Sequence, residues 1–259
     1  MRAFIICDYE GTTGTVSWDE EQKYGSAAMA GDVNAAIAGL RDGGFTEFVV
    51  RDFHSNGLTI NPCDLDPVAT LIRGSSPPFP YGLSPDFDAL IFVGAHARAG
   101  VANGVMSHTM NNRTIFEVRV NGVEIGEIGG FALLAGYYNV PLIFVAGDEA
   151  ACQEAREIVG ELEVAVVKTG LSRQCAVCLH PSVARNLIRD KAASAAKRTA
   201  DFKPLRWDGP FSLDVTFHYA QIADEAITTL GGQRVGDRTV RLHCDTIPEL
   251  FRCFERGFK

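Results

Sequence analysis

Three short stretches of this chain are apolar at every position: residues 3–7 (AFIIC), 89–94 (ALIFVG) and 142–146 (LIFVA). A strand with one wet face alternates apolar and polar side chains, so an unbroken run points to a sheet covered on both faces. Helical patterns fall between these runs. Residues 26–41 (SAAMAGDVNAAIAGLR) read as a helix stopped by Gly43-Gly44. Residues 131–138 follow a glycine pair, and 149–159 follow Asp148 as an N-cap. Residues 181–200 form the longest pattern, with Pro181 in its first turn. Shorter apolar runs at 48–50 and 164–167 add two strands. This alternation predicts a three-layer α/β/α fold around a central, mostly parallel or mixed sheet.

Two stretches depart from the rhythm. Residues 74–82 (GSSPPFPYG) are too rich in glycine and proline for a helix or central strand, and read as a surface connector. After Lys203-Pro204 the chain restarts with strand 211–219, helix 223–230, a Gly231-Gly232 turn, strand 239–244 and helix 248–256. The expected organisation is a catalytic α/β domain over 1–203, with a smaller α+β subdomain over 204–259 packed on the same core.

Composition narrows the function. At 259 residues and 46% hydrophobic the chain has ample material for a large core. A net charge of −8 leaves no basic stripe to displace counterions from phosphates, so a nucleic-acid partner is not expected. The modest basic group from Arg185 to Arg198 reads as a solvated helix face. The apolar run after Arg2 is too short for a secretory segment, and no uncharged stretch approaches the roughly 20 residues of a membrane span. Seven dispersed cysteines, an odd number in a chain that needs no staples, fit a reduced cytoplasm.

Candidate ligands follow the strands. Positions two apart on a strand point the same way, so Asp8 and Glu10 in CDYEG can aim both carboxylates at one point, with Gly11 letting the backbone turn away. His54 in RDFHSNG and His96 in VGAHARAG each come just after an apolar strand. Open α/β sheets place ligands beyond the carboxyl ends of their strands, which brings these four residues to one edge. Glu127, between Gly126 and Gly129-Gly130, is a fifth candidate, although taken by itself it reads better as a carboxylate favoured by the dipole of a first helical turn. Oxygen plus imidazole is the donor set of hydrolytic zinc or manganese sites.

Charge counting favours a pair of divalent ions. Two ions bring +4, the carboxylates of Asp8, Glu10 and Glu127 bring −3, and one hydroxide closes the sum with both histidines neutral. Such ions sit roughly 3.5–4 Å apart and lower the pKa of water from about 15.7 towards 7. His108 in GVMSHTM follows a glycine-bearing loop that can return it to the site. It is read as a catalytic residue, either a proton shuttle to the leaving amine or a nucleophile, with a packed loop histidine as the plain alternative. Arg98 has two readings, a holder of a substrate carboxylate or oxyanion and a surface ion pair.

Other motifs carry less. Cys175-x-x-Cys178 has no second CxxC and reads as structural. His180, His218 and His243 lack partnering carboxylates at telling spacing. The GTTG after Glu10 lacks the Lys-Ser/Thr of a phosphate-binding loop, and no GxSxG is present.

Taken together, CDYEGTTG, DFHS, GAHARAG, GVMSHTM and GEIGGFALLAGYYNVPLIFVAGD resemble the zinc-dependent D-aminopeptidase (DppA) family. The resemblance runs from Arg2 to about Pro181, VVKTGLSRQCAVCLHP included; after Lys203 it is one of layout. It implies two zinc ions per subunit, with manganese or cobalt as substitutes, held by Asp8, Glu10, His54, His96 and Glu127, and His108 at the catalytic position. It also implies cleavage of short peptides with an N-terminal D-residue such as D-Ala-D-Ala, and a homodecameric ring. Two departures stand out: Cys7 replaces a small or hydroxyl residue, and the loop between His96 and His108 is one residue longer. The expected function is therefore a cytoplasmic dinuclear zinc aminopeptidase acting on small peptides. The rivals are another metal-dependent amidohydrolase or phosphoesterase, and a non-catalytic peptide-binding protein of a transport system.

Overall fold

A computed structural model describes residues 1–75 and 79–257. The connector expected over 74–82 therefore falls partly on residues 76–78, outside the described residues. The first apolar run forms β1 (Arg2–Cys7), followed by α1 (Glu21–Asp42), β2 (Glu47–Asp52), β3 (Ala69–Ile72) and β4 (Ala89–Ala95). Next come β5 (Ile115–Val120), β6 (Val123–Glu124), α2 (Glu127–Tyr137), β7 (Leu142–Asp148) and α3 (Glu149–Val159). The chain continues through β8 (Glu163–Ser172), β9 (Cys175–Cys178) and α4 (Pro181–Lys197). It ends with β10 (Phe211–Phe217), α5 (Ala220–Leu230), β11 (Gln233–Arg234), β12 (Thr239–Cys244) and α6 (Ile247–Gly257).

The main sheet has the order β3-β2-β1-β4-β7-β8-β9. Its pairs are parallel except for β9, which runs antiparallel to β8. Both faces are covered, as the unbroken apolar runs require. Ala3, Ile5 and Cys7 pack with Val33, Ile37 and Leu40 of α1 and with Ile188 and Ala192 of α4. Phe4 and Ile6, pointing the opposite way, join Phe131 of α2, Ala155 of α3 and the second sheet. The three-layer α/β/α expectation matches this architecture.

The second sheet, order β11-β12-β10-β5-β6, is antiparallel throughout. Residues 204–257 supply three of its strands, and the chain between His108 and α2 supplies the other two. β5 reads IFEVRV, buried at Ile115, Val118 and Val120 against β10, so residues 204–257 are tied to the rest of the chain by a shared sheet.

After β3 the chain crosses to β4 on the far side of β1. A reversal of strand order of this kind opens a crevice at the carboxyl ends of the two central strands. Asp8 follows β1 and His96 follows β4, so both stand at its mouth.

Candidate metal centre

The backbones of the two central strands come unusually close here. Asp8 N donates to Val93 O at 3.0 Å and Gly11 N to Gly94 O at 2.8 Å. Gly94 has φ +75°, and a Cβ there would lie 2.0 Å from Asp8 O; one on Gly11 would lie 1.9 Å from Ala95 O. Glycine is required at both positions. The turn then brings Glu10 back beside Asp8, His54 arrives two residues beyond β2, and Glu127 opens α2.

Asp8 is the centre of the cluster, and its two oxygens face opposite ways. Its Oδ1 lies 3.0 Å from His54 Nδ1, which is also 3.0 Å from Glu10 Oε2. Its Oδ2 lies 3.5 Å from His96 Nε2, which is also 3.5 Å from Glu127 Oε2. The other Glu127 oxygen is 3.9 Å from His108 Nε2, and the His96 and His108 rings stack at 4.2 Å and 12°. The structure thus brings together all six residues singled out in the sequence. Their donor atoms fall into two sets, Asp8–Glu10–His54 and His96–His108–Glu127, each within 4.8 Å.

Hydrogen bonding fixes which imidazole nitrogen faces inward. His96 Nδ1 is 3.0 Å from Ala97 O, and His108 Nδ1 is 2.9 Å from Met106 O. A carbonyl only accepts, so Nδ1 carries the proton in each, and a neutral ring presents its Nε2 lone pair. His96 Nε2 is buried with no hydrogen-bond partner, between two carboxylates. A lone pair facing two carboxylate oxygens is repulsive unless a cation lies between them. His54 is arranged similarly, its outer Nε2 lying 3.3 Å from Glu21 Oε2 while Nδ1 faces Asp8 and Glu10. Carboxylate or carbonyl on one ring nitrogen and metal on the other is the usual setting of a histidine ligand. The donor set fits zinc.

Without a cation, protons must balance the charge. Burial disfavours charge on His54, yet the Asp8 and Glu10 carboxylates carry its pKa up to about 11. Burial likewise opposes charge on His96, and Glu127 and Asp8 raise it nonetheless. Burial works against ionisation of Asp8, but the hydrogen bond from His54 and the nearby His96 ring hold it well below the ordinary carboxylate range. Glu127 is lowered in the same manner, mainly by His96.

Several supports were not legible as functional in the sequence. Lys168 of β8, 1% exposed, extends Nζ to the carbonyls of Glu10, Thr12 and Thr15 at 2.5, 2.9 and 2.6 Å. Burial lowers its pKa to about 8. Asp148 caps α3 through Ala151 N and also accepts from Val105 N, both at 2.7 Å, anchoring the loop that carries His108. Met110 N donates to Glu127 Oε1 at 2.7 Å. Trp18 Nε1 donates to Glu10 Oε1 at 2.6 Å. A charged residue within VAVVKTG was the available sign for Lys168; Trp18 and Glu21 carried none.

The remaining motifs find structural roles. Arg98 pairs with Glu124 at 2.7 Å and lines a separate hollow, so its reading as a surface ion pair prevails over substrate binding. The GTTG loop is pinned by Asp32, which accepts from Thr13 N and Oγ1 at 2.8 Å. Cys175 and Cys178 are exposed on β9, and His180 caps α4. Cys7 points to the α1 side of the sheet, away from the cluster. Arg185 and Arg189 pair with Asp32 and Asp42 of α1.

The cluster opens into a cavity of about 650 Å³. Arg51 and Arg113 are its lining arginines; Arg51 is committed to Gly74 O at 2.9 Å, while Arg113 has no ion-pair partner among the described residues.

Residues 1–256 match the profile of a peptidase family described as D-aminopeptidase. The chain is 37% identical over 216 residues to a D-aminopeptidase of Bacillus subtilis (strain 168), covering 79% of this chain and 77% of that one. It also superposes on the Zn-dependent D-aminopeptidase DppA from Bacillus subtilis, described as a self-compartmentalizing protease. That match has a TM-score of 0.92 and 31% identity, over 100% of this chain and 98% of the other.

Proposed function

This chain belongs to the D-aminopeptidase family of peptidases, and on that premise we propose that its buried cluster would hold two zinc ions, with Asp8 offering one oxygen to each. The protein is a zinc-dependent aminopeptidase that removes an N-terminal D-residue from short peptides. The observation that carries the two-ion reading is the division of Asp8, one oxygen facing His54 and Glu10, the other facing His96 and Glu127. Asp8 Oδ1, Glu10 Oε2 and His54 Nδ1 would hold one ion; Asp8 Oδ2, His96 Nε2 and Glu127 Oε2 would hold the other.

Bound zinc supplies Lewis acidity, polarising a carbonyl and acidifying water. The remaining work falls to the chain. Hydrolysis joins the oxygen of water to the carbonyl carbon, breaks the C–N bond, and requires a proton on the departing nitrogen. His108 is placed to take that proton from the water and pass it on: Nδ1 is anchored on Met106 O, and Nε2 faces the cavity edge beside Glu127. The Glu127 carboxylate stabilises the imidazolium formed in transit, which favours proton transfer over nucleophilic attack. The substrate amine is offered Glu21, which lines the cavity beside His54. The carboxylate at the far end of a short peptide is offered Arg113. Exchange of Arg113 for Gln should raise KM for a free dipeptide more than for its C-terminal amide; equal effects on both would remove Arg113 from this role.

The relative's self-compartmentalizing character supports a homo-oligomer here, and the decamer is the specific form we propose, in the cytoplasm. The activity is tested by offering zinc-loaded protein D-Ala-D-Ala, L-Ala-L-Ala and a phosphodiester. Turnover of the D-peptide is expected. Turnover of the phosphodiester alone would favour the phosphoesterase rival, and chelator-insensitive peptide binding without turnover would favour the transport rival.

A further inference from the structure

One side chain outside the proposed ligand set touches both halves of the centre. Trp18 opens the short 3-10 turn Trp18–Glu20 that leads into α1, and its indole lines the cavity. Its Nε1 donates to Glu10 Oε1 at 2.6 Å, while the other oxygen of Glu10 faces His54. The ring meets His108 edge-on, centroids 5.9 Å apart at 73°. On the same indole lies the guanidinium of Arg173, 5.2 Å from the ring centre. Arg173 in turn grips the loop that carries His108: its Nε donates to Ser107 O at 3.1 Å, and its carbonyl accepts from Met106 N at 2.7 Å.

We propose that Trp18 is a positioning residue that reserves one oxygen of Glu10, so that Glu10 offers a single ligand atom, and that braces His108 through Arg173. The inference rests on the two-ion reading of the cluster. Its physical basis is the one-way character of the indole N–H, which donates and cannot accept. A carboxylate with both oxygens free can swing to chelate an ion or rotate out of the cluster; with Oε1 tied, only Oε2 remains. Removing such a partner of a metal ligand typically weakens binding about 10- to 100-fold.

The chain has two tryptophans, Trp18 and Trp207, which gives a readout independent of turnover. In a W207F background the remaining emission comes from Trp18, and zinc added to metal-free protein should change it saturably. The W18F variant keeps an aromatic wall but loses the donor. It should bind zinc about 10- to 100-fold more weakly by calorimetry and lose kcat at saturating zinc with KM little changed. Melting curves of the metal-free variants serve as the folding control. Zinc binding by W18F as tight as wild type, or W207F emission indifferent to saturating zinc, overturns the proposal. The emission test stands even if W18F fails to fold. Failure of the wild type to bind zinc would instead sink the metal reading.

Discussion

His96 and His108 lie ring on ring, and Glu127 divides its two oxygens between them, yet their surroundings differ. His96 is fully enclosed with its inner nitrogen unpartnered, whereas the His108 side chain is 12% exposed at the cavity edge. His108→Ala is therefore expected to reduce kcat by about 10²- to 10⁴-fold with zinc content unchanged, and His96→Ala to lose zinc as well. Metal analysis beside steady-state kinetics separates the two, and full activity of the His108 variant would end its catalytic assignment. His54 leads to a pH-linked expectation. Its metal-free pKa of about 11 lies above the unfolded value of about 6.5. The proton therefore stabilises the metal-free fold fully below about pH 6.5, and that contribution is lost as pH rises through about 11. Zinc must displace the same proton, so affinity should rise with pH across the neutral range. The binding heat should also differ between buffers of unequal ionisation enthalpy; equal heats would contradict the shift. The ligand candidates were legible because each is a polar residue just beyond an apolar strand or a glycine turn. Trp18 and Glu21 were not, since their reach to Glu10 and His54 depends on the path of residues 12–20, which no local periodicity encodes.

Among the elements, β8 does more than fill the sheet. Lys168 faces inward from it and stands in for an ion, gathering three carbonyls of the 10–15 loop around one charge. Lys168→Met would remove the charged donor that these three carbonyls share, leaving Thr15 Oγ1 to serve Glu10 O or Thr12 O; bonds to a charged group are worth about 1.5–3 kcal/mol each. Chemical denaturation should show a loss of about 3 kcal/mol or more, together with weaker zinc binding through displacement of Glu10; an unchanged midpoint would mean that the loop holds itself. The parallel core was readable because apolar runs buried on both faces leave few alternatives. The reach of the second sheet was less so. β5 has the alternation of a half-buried strand, but its pairing of Val118 with Val215 of β10 joins distant segments, and only the fold shows it.

At the scale of the whole molecule, three neighbouring strand ends and one helix start converge on a buried acidic cluster at the floor of a cavity. Among the described residues no helix is long and apolar enough to cross a membrane. A decamer should appear by light scattering at ten times the subunit mass, and a monomer at working concentration would refute the proposed assembly. On the two-ion reading, Asp8 serves two cation sites that together cleave a D-peptide. A zinc titration of metal-free protein followed by hydrolysis of D-Ala-D-Ala tests this. The expected result is activity that grows with added zinc and levels off at two equivalents per subunit. A plateau at one equivalent, or full turnover in chelator, would contradict it.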